Sequence, residues 1–245
     1  MSSADFAGTL PGRKDFIEGR ASAAVLMMRE RDVTPIVTGR IGLEEFRLAS
    51  AVVVVATHGT NRAEQISLEN LANAFSRDAR ATAQNWNDLD PGARSELITA
   101  AVCSPSGTMV LEIFQGIALG GSAFRSEVRL RVEPDLAVDL LASRAGSLLL
   151  MPRPPTGRGK VLMVSDGRPG RSSTAYGPDE NNVHNGDYPL QAPLVMFVRR
   201  DRIPALRPAL RWLFSDEVAA MLEKQGLYPA PQLARTRYLQ RLDTR

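Results

Sequence analysis

Short apolar runs alternating with segments of helical spacing make this chain α/β. Three observations carry that assignment. Residues 51–56 are apolar throughout and rich in valine, which suits a central strand covered on both faces. Residues 97–102 form a second β-branched and apolar run, and Val110, Ile113, Phe114 and Ile117 then recur at helical spacing just beyond it. Strand-like runs return at 128–132, 147–151, 160–164 and 193–198, with helical patterns between and after them. No internal repeat is present.

Taken in order, residues 1–20 show no sustained period, and residues 22–30 read as a helix with a polar end. Pro35 marks 32–40 as a short extended segment leading into a turn, and 41–46 open another short helix or turn. After the strand at 51–56, Ser67 is placed to cap a helix over 68–75 with Leu68, Leu71, Ala72 and Phe75 on one face. Residues 84–92 read as a polar loop carrying Trp86. Pro134 suits the first turn of a helix over 134–143. The Gly-, Pro-, Ser- and Asn-rich stretch 166–187 reads as loop. Two helices over 205–214 and 216–225 close the fold, the second ending at Gly226 with Pro229 beyond, and the Arg-rich tail from Ala234 is expected to fray.

Composition narrows the function classes. The chain has 245 residues, 44% hydrophobic and 23% charged, enough to bury a sizeable core. Twenty-seven of its 30 basic residues are arginine, yet 27 acidic residues leave a net charge of only +3 and there is no long basic block, so no nucleic-acid surface is indicated. One cysteine, Cys103, and two histidines exclude a disulfide framework and disfavour a zinc site. The N-terminus has neither a basic n-region nor an apolar h-region, and no apolar run approaches the length of a membrane span; as written, the product stays in the cytoplasm. No Gly-x-Ser-x-Gly elbow or evident carboxylate pair supports catalysis, and residues 153–160 lack the spacing of a phosphate loop.

The segment Ser104-Pro105-Ser106-Gly107-Thr108 is the candidate site. It lies between an expected strand and an expected helix, where unpaired backbone N–H groups, a positive dipole end, two hydroxyls and a glycine suit an oxyanion. Ser106 acting only as a helix cap is the alternative. Arg40, after Thr38 and Gly39, is either a bidentate oxyanion ligand or a solvated surface arginine. Ser22 is either a hydroxyl donor or a plain cap. Cys103 reads as a small buried hydrophobe, and His58 and His184 as loop residues.

In their order and spacing four stretches resemble the substrate-binding proteins of ABC phosphate-uptake systems, which have a type 2 periplasmic-binding-protein-like fold. They are the strand at 52–55 with the helix at 66–75 and the Asn85-Trp86-Asn87-Asp88 loop; Ser106-Gly107-Thr108 before a helix containing Phe114; Gly186-Asp187-Tyr188-Pro189-Leu190 ahead of the strand at 194–198; and residues 215–218 through Gly226-Leu227-Tyr228-Pro229. The resemblance spans roughly residues 21–230. It implies two lobes, each a mixed sheet flanked by helices: 1–58 with 190–245, and 59–189, joined by two hinge crossings. It implies a monomeric, non-enzymatic protein that captures inorganic phosphate or a similar oxyanion in an interlobe cleft. Ser106, Gly107 and Thr108 would act from one lobe and Arg40, Thr38 and Ser22 from the other, with no cofactor or metal. An ABC permease would be the partner and the cell envelope the location, against the cytoplasmic reading of the N-terminus. Two departures stand out. The chain looks short at its start, and Val102 occupies a position where well-known members carry arginine. They favour an alternative, a divergent or truncated relative serving as a sensory or interaction module.

Overall fold

The structure, a computed structural model, describes residues 9–27, 42–105, 108–167 and 173–243. The elements begin with α1 (Thr9–Ile17), β1 (Ala23–Met27), β2 (Leu43–Val52), β3 (Val54–His58), β4 (Gln65–Ser67), α2 (Leu68–Phe75) and α3 (Trp86–Leu89). Next come β5 (Thr99–Cys103), α4 (Val110–Ile117), β6 (Arg129–Val132), α5 (Pro134–Ser143), β7 (Ser147–Met151), β8 (Gly159–Val161), β9 (Met163–Ser165), β10 (Ala175–Tyr176) and α6 (Glu180–Asn185). The chain closes with β11 (Gln191–Arg199), a 3₁₀ turn (Arg200–Arg202), α7 (Ile203–Leu213), α8 (Asp216–Lys224), β12 (Tyr228–Pro229) and α9 (Gln232–Asp243). The chain divides into two compact units, Met1–Ala51 with Ala192–Arg245, and Val52–Gln191.

The first unit is built on a sheet of order β1-β11-β2-β12. Alternation along β11 explains its two cores. Val195 and Phe197 join Phe16 and Leu26 on one face, while Met196 and Val198 join Phe46, Ile203, Leu210, Phe214 and Leu242 on the other. The second face holds an aromatic cluster in which Phe46 lies 5.2 Å from Phe214 and 5.3 Å from Tyr238. Buried Glu44 is gripped by Arg200, whose Nε donates to Oε1 at 2.8 Å, and by Arg241 from α9.

Several expectations are corrected here. The run expected as a helix from Ser22 is strand β1, antiparallel to β11 with Ala23 opposite Val198 and Met27 opposite Leu194. A run this short fits either element, and the ladder offered by β11 decides it. The helix or turn expected at 41–46 is the start of β2, entered through Gly42 at φ +105°. The segment 32–40 lies outside the described residues. The aperiodic start contains α1, anchored by buried Phe16. The tail expected to fray is α9, pinned by buried Leu242 and by ion pairs from Arg235 to Asp216 and from Arg241 to Glu44.

The second unit holds a five-stranded sheet of order β6-β5-β7-β3-β8. β5 runs parallel to both β6 and β7, and β3 is antiparallel to β7 and β8. A smaller sheet, β10-β9-β4, completes it. The expected strand at 51–56 is split at Val53, whose N–H donates to Leu190 O (2.9 Å) and whose carbonyl accepts from Tyr188 Oη (2.7 Å). The expected strand at 160–164 likewise divides at Leu162 between β8 and β9, which belong to different sheets. At the start of β5, Leu97 is exposed rather than part of the buried strand.

Helix α2 is capped as expected, Ser67 Oγ accepting from Asn70 N at 3.0 Å, an arrangement worth about 1 kcal/mol. Ala74 takes the buried position that the spacing gave to Ala72. The expected polar loop at 84–92 contains α3: Asp88 Oδ2 accepts from Gln84 N and Asn85 N, and Trp86 is buried with Nε1 donating to Gly146 O. The stretch expected as loop at 166–187 contains β10 and α6. Asp179 caps that helix and Gly186, at φ +85°, ends it.

Candidate oxyanion site

β5 lies inside its sheet between two parallel neighbours, and its carboxyl end delivers the chain directly to α4. In α/β sheets this end of the parallel strands is where ligands bind, because loops and helix N-termini converge there. Cys103 closes the strand, fully buried, and Ser104 and Pro105 begin the turn. Ser106 and Gly107 lie outside the described residues. Thr108 shapes the turn's second half: its N–H and its Oγ1 both donate to Pro105 O, at 3.1 and 2.8 Å, and Ser104 Oγ lies 3.4 Å from Thr108 Oγ1.

Helix α4 begins at Val110, two residues later than Thr108. Its cap residue is Met109, whose side chain offers no acceptor, so among the described residues no side chain caps the first amides of this helix. The inward face, with Val110, Ile113 and Phe114 buried, fixes the helix to the unit. Phe114 is held between Phe75 at 5.1 Å and Phe124 at 5.9 Å. The positive end of the helix is therefore placed by core packing and left without a stopper from its own cap residue.

Positive charge near this end of the sheet comes from Arg153, the first residue of the segment rejected above as a phosphate loop. Val102 is opposite Leu150 in the β5–β7 pairing, and exposed Arg153, two residues past β7, lies close enough to act electrostatically on Cys103 at the end of β5. Arg153 lowers the pKa of the Cys103 thiol, while burial and Glu133 raise it; burial is the largest effect and the net shift is upward. The upward shift disfavours the reactive thiolate. In the sequence Arg153 figures only as the first residue of the rejected phosphate-loop segment 153–160, and its nearness to Cys103 emerges from the fold. Val102 itself has no exposed surface, so that position carries packing and no charge.

Of the remaining expected site residues, Ser22 is described and Thr38 and Arg40 lie outside the described residues. Ser22 is exposed, and it precedes strand β1 rather than a helix, so it caps nothing; its carbonyl accepts from Arg199 N at 3.2 Å. Ser22 belongs to the first unit and Thr108 to the second. His58 Nδ1 accepts from Thr60 N at 3.1 Å, and His184 Nδ1 lies 3.7 Å from Glu180. Among the described residues no group of three or more His, Cys, Asp or Glu side chains could hold a metal ion. No helix among them is long and apolar enough to cross a membrane.

No protein-family model and no curated protein matches the chain. Solved structures do. A possible phosphate binding protein from Planctomyces limnophilus DSM 3776 aligns with a TM-score of 0.77 at 17% identity, over 94% of this chain and 83% of that one. PstS from Borrelia burgdorferi aligns at 0.69 with 14% identity, over 94% and 87%. An ABC-type phosphate transport receptor from Vibrio cholerae aligns at 0.63 with 14% identity, over 90% and 84%. These neighbours are binding proteins and receptors rather than enzymes. At such identities the likeness speaks to architecture, and the chain has the α/β, type 2 periplasmic-binding-protein-like fold of phosphate-binding proteins of ABC transport.

Proposed function

We propose that this chain binds inorganic phosphate, or a similar small oxyanion, at the junction between β5 and α4, and hands it to an ABC-type permease at the cell envelope without chemical change. The observation that carries the reading is the start of α4, which no described side chain caps, after an interior parallel strand, in a chain with the fold of phosphate-binding proteins. Amides at that helix start donate to an anion, and the dipole favours its charge. The Thr108 hydroxyl turns from Pro105 O to the ligand, exchanging one acceptor for a charged one. Arg153 adds positive charge from the end of β7. By the resemblance, Ser106 and Gly107 complete the turn, and Arg40, Thr38 and Ser22 supply the donors of the other lobe.

Calorimetry of the full chain with phosphate, sulfate and molybdate tests this. Phosphate should saturate one site, and Thr108→Val should weaken it about tenfold, the cost of one hydrogen bond to a charged group. Absence of heat with all three anions at millimolar concentration would sink the reading. A second reading, a sensory or interaction module that transports nothing, is favoured by Val102, buried where charge would serve an anion. It predicts a melting temperature indifferent to phosphate, whereas a ligand of the native state must raise it.

A further inference from the structure

The edge of a sheet can accept a further strand, because its outer N–H and C=O groups have no ladder partner. Among the described residues the three sheets end in six edge strands, and five of these are blunted. β12 and β10 are two residues long, and β12 contains Pro229. β4 has three residues, β8 has three with Gly159 and Lys160, and β6 carries Arg129. β1 has none of these guards. It is five residues, Ala-Ala-Val-Leu-Met, without charge, glycine or proline. It pairs with β11 at every position without a shift in register, so no bulge turns its edge away. Among the described residues no strand lies on its other side, and Val25 is 48% exposed.

The pattern of β1 selects its own copy as the counterpart. Ala24 and Leu26 pack toward the core that holds Phe16, whereas Ala23 packs toward the opposite core. An antiparallel pair about a twofold axis at Val25 sets Val25 against Val25 and small Ala24 against larger Leu26, apolar throughout and with no like charges opposed. Each face of the sheet then continues across the axis, the Phe16 side meeting the Phe16 side. A slip by one residue would break that match, so the alternation fixes the register. An edge of alanine, valine and leucine offers a charged peptide no counter-ion, which leaves an apolar strand of matching alternation as the partner that fits.

We propose that β1 is a self-association edge through which two copies of this chain pair antiparallel, centred on Val25, into one continuous sheet, against the monomer that the resemblance implies. Five residues a side make a small contact, so the dimer is weak and depends on concentration. Light scattering of the full chain without added phosphate, from about 1 μM to about 1 mM, should show the mass rise from 26.7 kDa towards twice that value. In an antiparallel edge strand alternate amides bond inward and the others face out. The outward amides of residues 23–26 should therefore exchange fast in dilute solution and slowly at high concentration, while those of β6 and β12 stay unchanged. Val25→Lys sets a cation against its own copy at an exposed position. It should leave the melting temperature unchanged and raise the half-dimer concentration about tenfold or more. A monomer at every concentration, a dimer indifferent to Val25→Lys, or protection that grows only outside β1 overturns the proposal. So do β1 amides all protected at the lowest concentration, which would mean that the chain covers this edge itself. The exchange comparison needs no variant, and none of these readouts uses an anion, so the oxyanion reading stands or falls separately.

Discussion

The two units hold themselves together by different chemistry. In the first, a buried carboxylate, Glu44, is clasped by Arg200 and Arg241, and arginine-to-aspartate pairs tie the C-terminal helices down. In the second, the buried polar contacts are neutral and end on backbone carbonyls: Thr57 Oγ1 to Ser147 O, Trp86 Nε1 to Gly146 O and Tyr188 Oη to Val53 O. A mixed sheet with strands buried on both faces favours uncharged, hydrogen-bonded groups, whereas a sheet covered by arginine-rich helices can use ions at its margin. The first unit should therefore respond to salt and the second to loss of packing.

The sharpest way to break this comparison is Phe114→Ala. The ring has no exposed surface and is sandwiched by two phenylalanines, so a cavity beneath α4 should cost about 3–5 kcal/mol in thermal or denaturant unfolding. Glu44→Gln should cost less, about 1–3 kcal/mol: removing one partner of a buried pair is expensive, but both arginines are roughly half exposed and regain water. Hydrogen exchange should then rise in β2 and α9 while β5 and β7 stay protected, and high salt should shrink the difference between the two proteins. Equal loosening in both units would contradict the division. The smallest effect belongs to Asp88, whose carboxyl is held below the usual range by the N–H groups of Asn85 and Gln84. Its contribution is present above the unfolded carboxylate pKa and is lost as pH falls through the lower folded one. Asp88→Asn should lower the melting temperature slightly at neutral pH and leave it unchanged in strong acid.

Elements whose signals are local were legible in the sequence. Helix α5 and strand β7 have the bounds expected at 134–143 and 147–151, because a proline at the first turn and a five-residue apolar run define them without help. Elements decided by distant partners were not. β1 is a strand because β11 lies beside it, and α9 is ordered by Glu44 and Asp216, far away in sequence. The breaks at Val53 and Leu162 were invisible for the same reason: an apolar run does not record which sheet receives each residue. At the site, the strand–turn–helix junction was legible from spacing, while the nearness of Arg153 to Cys103 emerged only from the fold. The cap reading of Ser22 failed because the run after it is a strand.

Cys103 is the only thiol in the chain and is sealed at the end of β5, one residue before the turn. A thiol reagent can reach it only when that strand opens, so the labelling rate is a clock for local breathing at the very place where an anion would sit. Whatever steadies the turn should slow the clock, and it needs no added probe.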